Sequence, residues 1–329
     1  MAKTSTDKIK LEDTIVSKSQ IKSQEKYVIV HIEGGLGKHI AATAMIAGVR
    51  KKYPDRKLIL VCAYPQVFLY NPNIDRVYTL GNTPYFYEDY IQDKDVIILK
   101  QEPYNHTAHI KQEQSLIKSW FEVFGLEYNG ELPSIYSNYR MLEMAVEKWR
   151  RQKPIMVLHT NGGPYHQNKD GAYNAANIKS WSRDMPSPVI ENLIKHYSKD
   201  YHIFQICKTK ENIFQGTEPI IDPAYNLELF SLLRFSEKRI LIDSSLQHAA
   251  AALRLPSVVL WNGTNPTVFG YDMHQNIVPN KTKMAGFKNI NAYLYDFELW
   301  GDPIQCPWDS NDIYDINEII KKTDELKNN

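Results

Sequence analysis

The chain has 329 residues, long enough for two domains of ordinary size, and balances 39 Lys and Arg against 38 Asp and Glu. That balance excludes a protein whose bulk charge is built for nucleic acid, although a local basic groove escapes such a count. No apolar run is long enough to span a bilayer and no secretory signal is visible. Cys62, Cys207 and Cys306 are far apart and odd in number, which gives neither a disulfide framework nor a zinc pattern. A cytoplasmic setting is expected.

Residues 1–26 are rich in Lys, Ser and Gln and read as a solvated, flexible tail. Asp7, Glu12, Asp13 and Glu25 dilute the charge that a membrane- or nucleic-acid-binding arm needs; peripheral membrane contact stays open. Tyr27 to Ile32 is a continuous apolar run, suited to a strand buried on both faces. Glu33-Gly-Gly-Leu-Gly-Lys-His39 follows, then a helix over Ile40 to Lys52 that ends at Tyr53-Pro54. Glycines between strand and helix let a ligand approach the backbone, and a tight βα turn explains them equally well. The spacing to Lys38 fits neither a Walker loop nor the dinucleotide fingerprint.

Lys57 to Cys62 and Asp95 to Leu99 read as further strands. Between them, Gly81 to Tyr90 is aromatic and turn-rich, either an acceptor groove or a loop held down by its rings. Helices are expected over Gln112 to Phe124, closed by Gly125, and over Met141 to Gln152. The latter completes a first domain of residues 27–152.

A second domain, residues 153–308, restarts the pattern with a strand at Ile155 to His159. The loop from Thr160 to Ala176 is long for a compact α/β link, and such loops tend to be functional. Lys179, Trp181 and Arg183 precede a helix over Pro188 to Tyr197; a strand follows at Tyr201 to Ile206 and a helix at Asn226 to Phe235. Then comes the most informative stretch. Arg239 to Ile242 reads as a buried strand, Asp243, Ser244 and Ser245 as helix N-cap chemistry, and His248 to Leu253 as an Ala-rich helix stopped by Arg254-Leu-Pro256. Ser257 to Trp261 is the next strand, ending in the turn Asn262-Gly-Thr-Asn-Pro266. A helix N-terminus beside a second polar turn at one sheet edge suits an anion, most simply a phosphate. Asn311 to Lys327 is a charged amphipathic helix.

At these residues the chain resembles glycosyltransferase family 9, the lipopolysaccharide heptosyltransferases. That family carries Asp, two small residues, a spacer, His, an Ala-rich helix, a strand and then Gly-Pro-Thr-Asp-Pro. Here Asn262, Gly263 and Asn265 replace Gly, Pro and Asp. The first domain is similar as well, through the Gly-rich turn and Asn71-Pro-Asn-Ile-Asp-Arg-Val77. The resemblance implies the GT-B fold: two Rossmann-like, doubly wound α/β domains facing across a cleft, with the C-terminal helix, residues 309–329, packing back on the first.

It also implies transfer of a sugar from a nucleoside-diphosphate donor to an acceptor hydroxyl, with inversion, no metal and no cofactor beyond that co-substrate. Donor contacts carried over are Gly35, Gly37, Thr160, Lys179, Arg183, Asp243, Ser244, Ser245, Leu246, Gln247, His248 and Thr264, with the nucleoside near Cys207 to Lys210. The family places an Asp where Lys38 stands here. A Lys is charged at neutral pH and a poor proton acceptor, so His39 is the expected base, with Lys38 beside it. Glu33, Glu88 and Asp89 are the alternative carboxylates. The expected acceptor is a glycan such as lipopolysaccharide. A hydroxylated base of viral DNA and a non-catalytic nucleotide-sugar binder are the alternatives.

Overall fold

The computed structural model of the chain describes residues 25–137, 139–162, 183–221, 226–280 and 313–327. Four strands, β1 (Lys26–Ile32), β2 (Lys57–Cys62), β3 (Arg76–Thr79) and β4 (Asp95–Leu99), form one sheet in the order β3-β2-β1-β4. Six more form a second sheet in the order β10-β9-β8-β5-β6-β7: β5 (Ile155–His159), β6 (His202–Cys207), β7 (Glu218–Ile221), β8 (Ser236–Ile242), β9 (Val258–Leu260) and β10 (Gln275–Ile277). All pairings are parallel. Both sheets are doubly wound: strand order reverses between β1 and β4, and again between β5 and β8. At such a reversal two neighbouring loops diverge and leave a crevice beyond the carboxyl ends of the strands. The expected α/β architecture, with a sheet in each half, is what the chain adopts.

The short strands β3, β7 and β10 have no apolar run of their own; they form because each completes a ladder beside a buried neighbour. Helix α1 (Leu36–Lys52) starts four residues before the expected Ile40, so Gly37, Lys38 and His39 belong to its first turn. Its last turn holds Arg50, Lys51 and Lys52, cations that suit the negative end of the helix dipole. Short helices α2 (Phe86–Tyr90) and α3 (Thr107–Ile110), with α4 (Leu116–Val123), complete the first half.

Two expectations about boundaries need correction. Helix α5 (Tyr139–Trp149), expected to close the first domain, packs on the second half. Trp149 Nε1 donates to Ser231 Oγ at 2.9 Å and its ring meets Phe204 edge-on at 5.4 Å. By packing, the chain crosses between the halves before α5, not at Lys153. The second half also contains α6 (Ser187–Tyr197), α7 (Asn226–Phe235), α8 (Ser245–Ala252) and α9 (Pro266–Phe269). The last helix, α10 (Ile316–Asp324), does not return to the first half. It lies on α6 and β8, where Ile319 joins Leu193 and Ile240 in one buried cluster. Tyr197 donates to Asp324 Oδ1 at 3.1 Å and Lys238 to the Thr323 carbonyl at 3.0 Å.

Arg239 is buried in the middle of the second sheet. Its guanidinium donates to the Pro256 carbonyl (3.0 and 3.2 Å) and to the carbonyl and hydroxyl of Ser236. The two halves meet where α1 packs on α8, helices rich in buried alanine: Ala41, Ala42 and Ala44 on one, Ala249, Ala250 and Ala251 on the other. No described helix is long and apolar enough to cross a membrane. Most of residues 1–26, the loop with Lys179 and Trp181, and residues 281–312 lie outside the described residues.

Candidate active site

The carboxyl ends of β5 and β8 define the crevice of the second half. Past β8, Asp243 and Ser244 turn the chain into α8, whose N-cap Ser244 makes no side-chain capping bond. The amide end of α8, with its partial positive charge, therefore faces the crevice without a side-chain cap. Arg183 reaches Asp243, Nε to Oδ2 at 3.7 Å. Past β5, Gly162 N–H donates to Asp184 Oδ1 at 3.0 Å, and Lys208 Nζ, at the end of β6, lies 3.6 Å from the same oxygen. Burial pushes the Asp184 carboxyl above its ordinary value, against the pull of Lys208. Past β9, Thr264 is 1% exposed and its hydroxyl has no hydrogen-bond partner among the described residues. A buried hydroxyl without a partner is costly unless a ligand completes it.

Not every expected donor contact offers a side chain to this crevice. Leu246 lies in the apolar core. Gln247 Nε2 donates to the Phe269 carbonyl at 2.9 Å, and His248 Nδ1 meets the Tyr271 hydroxyl at 2.7 Å. None of these three side chains is free to meet a ligand, and the Gln247 N–H already donates to the Ser244 carbonyl at 3.2 Å. The Thr160 hydroxyl is also engaged. It accepts from Gln205 Nε2 at 2.9 Å and lies within donating distance of Asn161 Oδ1 and the Ile206 carbonyl. Gln205 ties this network to the turn beyond β6, bonding also to the Asn212 carbonyl, Phe214 N–H and the Thr217 hydroxyl.

The first half brings its own turn to the same place. A Cβ on Gly37 would lie 3.4 Å from Ser245 Cα and 2.9 Å from His248 Cδ2, so the start of α1 abuts the start of α8. Gly35, the N-cap of α1, faces open space and has no side chain with which to cap. Of the two glycines expected at the donor, Gly35 leaves room and Gly37 makes the joint. Gly37→Ala is expected to lower the melting temperature, because forcing α1 off α8 costs about 1–3 kcal/mol against a helix-propensity gain of about 1 kcal/mol. A variant that melts at or above the parent would show that the joint is slack.

His39 is placed differently from the expectation. It is fully buried: Ala63 N–H donates to Nε2 at 3.1 Å, which leaves the ring proton on Nδ1 for the Gly35 carbonyl at 2.9 Å. Burial pushes its pKa below the ordinary value. With both nitrogens engaged, the ring ties the turn to the end of β2 and does not stand as a proton acceptor. Lys38 folds back over Gly34, whose φ of +101° requires glycine, and its ammonium lies 2.5 Å from Glu102 Oε2. Glu33 pairs with Lys100 at 3.3 Å. Glu102 and Gln205 were not singled out from the sequence, and Lys208 only as part of the turn Cys207 to Lys210. The signal that finds them is strand order, since all three lie at or near the carboxyl ends of strands beside the reversals.

Neither a protein-family model nor a curated protein matches the chain by sequence. Solved structures do match. A glycosyltransferase of family 9 from Veillonella parvula DSM 2008 superposes with a TM-score of 0.61 at 14% identity, covering 91% of this chain and 96% of that one. Escherichia coli ADP-heptose lipopolysaccharide heptosyltransferase II gives 0.55 at 10% identity, over 77% and 89%. The iron-containing dodecameric glycosyltransferase TibC of enterotoxigenic E. coli H10407 gives 0.54 at 16% identity, over 77% and 62%. The chain thus resembles family 9 glycosyltransferases in structure and has the GT-B fold.

Proposed function

We propose that the protein, built on this GT-B fold, is a glycosyltransferase that takes its sugar from a nucleoside-diphosphate donor. The observation that carries the reading is the pair of helix N-termini, α1 and α8, that abut without side-chain caps, together with the buried Thr264 hydroxyl past the neighbouring strand β9, which has no partner among the described residues. A diphosphate answers all three, since its oxygens accept from backbone N–H groups and from a hydroxyl, and its charge suits both dipoles. Arg183 and Lys208 supply further positive charge, which supports departure of the diphosphate without a metal; inversion at the sugar is proposed from the sequence resemblance alone. Lys179 is proposed as a further phosphate contact from the sequence alone. TibC has been solved in complex with an ADP-heptose, so ADP and ADP-heptose are the first ligands to try. The first half's crevice carries charges in pairs, Glu33 with Lys100 and Glu102 with Lys38, and not a basic groove. That pairing favours a glycan acceptor over DNA.

A thermal-shift screen with ADP, UDP, GDP and CDP tests the donor site. One of them at a hundredfold excess over its dissociation constant is expected to add about 2.7 kcal/mol of stability. Thr264→Val should weaken that effect. No shift with any of the four would end the transferase reading. A shift without turnover of the matching nucleotide sugar would leave a binding protein.

A further inference from the structure

Sugar transfer to a hydroxyl needs a group that takes the hydroxyl proton, and neither residue first expected in that role fits. His39 has both nitrogens engaged, and Lys38 carries its proton into a contact with Glu102. That contact spans the reversal point of the first sheet. Strands β1 and β4 lie side by side, Val30 opposite Leu99, and diverge at their carboxyl ends, one into α1 and the other into Lys100 to Pro103. Lys38 is 9% exposed and held from three sides: its stem crosses Gly34, and its ammonium lies 5.2 Å from the ring centre of Tyr104 and 5.6 Å from that of Trp120.

Glu102 is held only through Oε2, and its side chain is 37% exposed. The other oxygen, Oε1, is shut off from solvent and has no hydrogen-bond partner among the described residues. Such an acceptor costs free energy until a donor reaches it. The pair also lies at the joint between the halves. Gly37, next to Lys38, touches Ser245 at the start of α8. Tyr104, two residues after Glu102, stacks edge-on against His109, which stacks in turn on Phe269, just past the Thr264 turn. Glu33, the other carboxylate at this edge, precedes the turn and faces Lys100 and His31 instead.

We propose that Glu102 is the proton acceptor of the reaction and that Lys38 positions it, an inference that rests on the transferase reading above. Rotation about its exposed stem brings Oε1 to the acceptor hydroxyl. The hydroxyl proton passes to Oε1 as the hydroxyl oxygen bonds to the anomeric carbon. The bond from that carbon to the diphosphate breaks, and its electron pair leaves with the nucleoside diphosphate. Protonating Glu102 removes the charge that cancels the Lys38 ammonium. A positive charge is thereby uncovered as the leaving group gains a negative one.

The test uses the full chain, the nucleoside diphosphate that raises its melting temperature (ADP, UDP, GDP or CDP) and that nucleotide's sugar conjugate. Release of the nucleoside diphosphate is followed with water as acceptor, so the natural acceptor need not be known. Glu102→Gln is expected to slow release by about 100-fold or more. Because the ammonium is then uncovered, affinity for the nucleoside diphosphate should hold or tighten, whereas a merely structural glutamate would lose affinity and rate together. Glu102→Asp should recover part of the rate. If the lone Gln variant does not fold, the double variant Lys38→Met with Glu102→Gln leaves no stranded charge and should fold without activity. Either variant releasing within tenfold of the wild-type rate overturns the inference. A wild type that binds nucleotides but releases nothing from any conjugate fails earlier, at the transferase reading itself.

Discussion

Lowered from pH 7 to pH 5, the protein is expected to lose several kcal/mol of stability before its carboxylates begin to protonate. Burial holds the imidazoles of His109, His159, His248 and His274 down at about 4, and lowers His31 and His39 as well. The unfolded chain binds a proton at each of these sites near pH 6.5, whereas the folded chain does not until far lower. Their contribution is therefore fully present above pH 6.5 and is lost as pH falls toward 4. At pH 5 each group held near 4 removes about 2 kcal/mol, and together they rival the whole stability of an ordinary domain. Asp184 works in the opposite sense, since its raised folded pKa favours the folded state as pH falls, but it is one group against six histidines. Chemical denaturation at pH 7, 6 and 5 reads the effect directly. A midpoint that stays constant down to pH 5 would mean that the histidines take up protons without unfolding the chain.

Arg239→Met is expected to be the most damaging single substitution in the second sheet. The side chains are of similar length, so the cavity is small; what is lost is the donor set. The Pro256 and Ser236 carbonyls are each left without their guanidinium partner in a buried site. Stranding a buried acceptor costs about 1–3 kcal/mol, so two cost about 3 kcal/mol or more. In a chain of this size that lowers the melting temperature by roughly 4 °C or more. Burial depresses the guanidinium to about 10, which still leaves it charged at neutral pH. A Met variant that melts with the parent would mean that those carbonyls find other donors.

The long apolar runs gave their strands away: Tyr27 to Ile32, Lys57 to Cys62, Ile155 to His159 and the run before Asp243 all lie where continuous hydrophobicity and punctuation put them. Strands β3, β7 and β10 were illegible because their four-, four- and three-residue segments exist only as neighbours of buried strands. At the site, the turn from Asp243 to Ser245 could be read locally, since N-cap chemistry is written in adjacent residues. Glu102 could not. It stands sixty-four positions from Lys38, and only strand order brings the two together. His39 misled for a related reason: a histidine after a Gly-rich turn has a suitable pKa in isolation, and its nitrogens are consumed by the Gly35 carbonyl of its own turn and by the Ala63 N–H just past β2.

The early crossing of the chain has a consequence for synthesis. Domains fold as they emerge from the ribosome, the N-terminal one first. Helix α5 leaves the ribosome directly behind a first half that has no place for it. Its Trp149 waits for Phe204 on β6 and Ser231 on α7, which are translated much later. Until then the apolar face of an amphipathic helix has no partner, so the translation of β5 to α7 is an interval in which this protein is exposed to aggregation. A chaperone has its clearest target there.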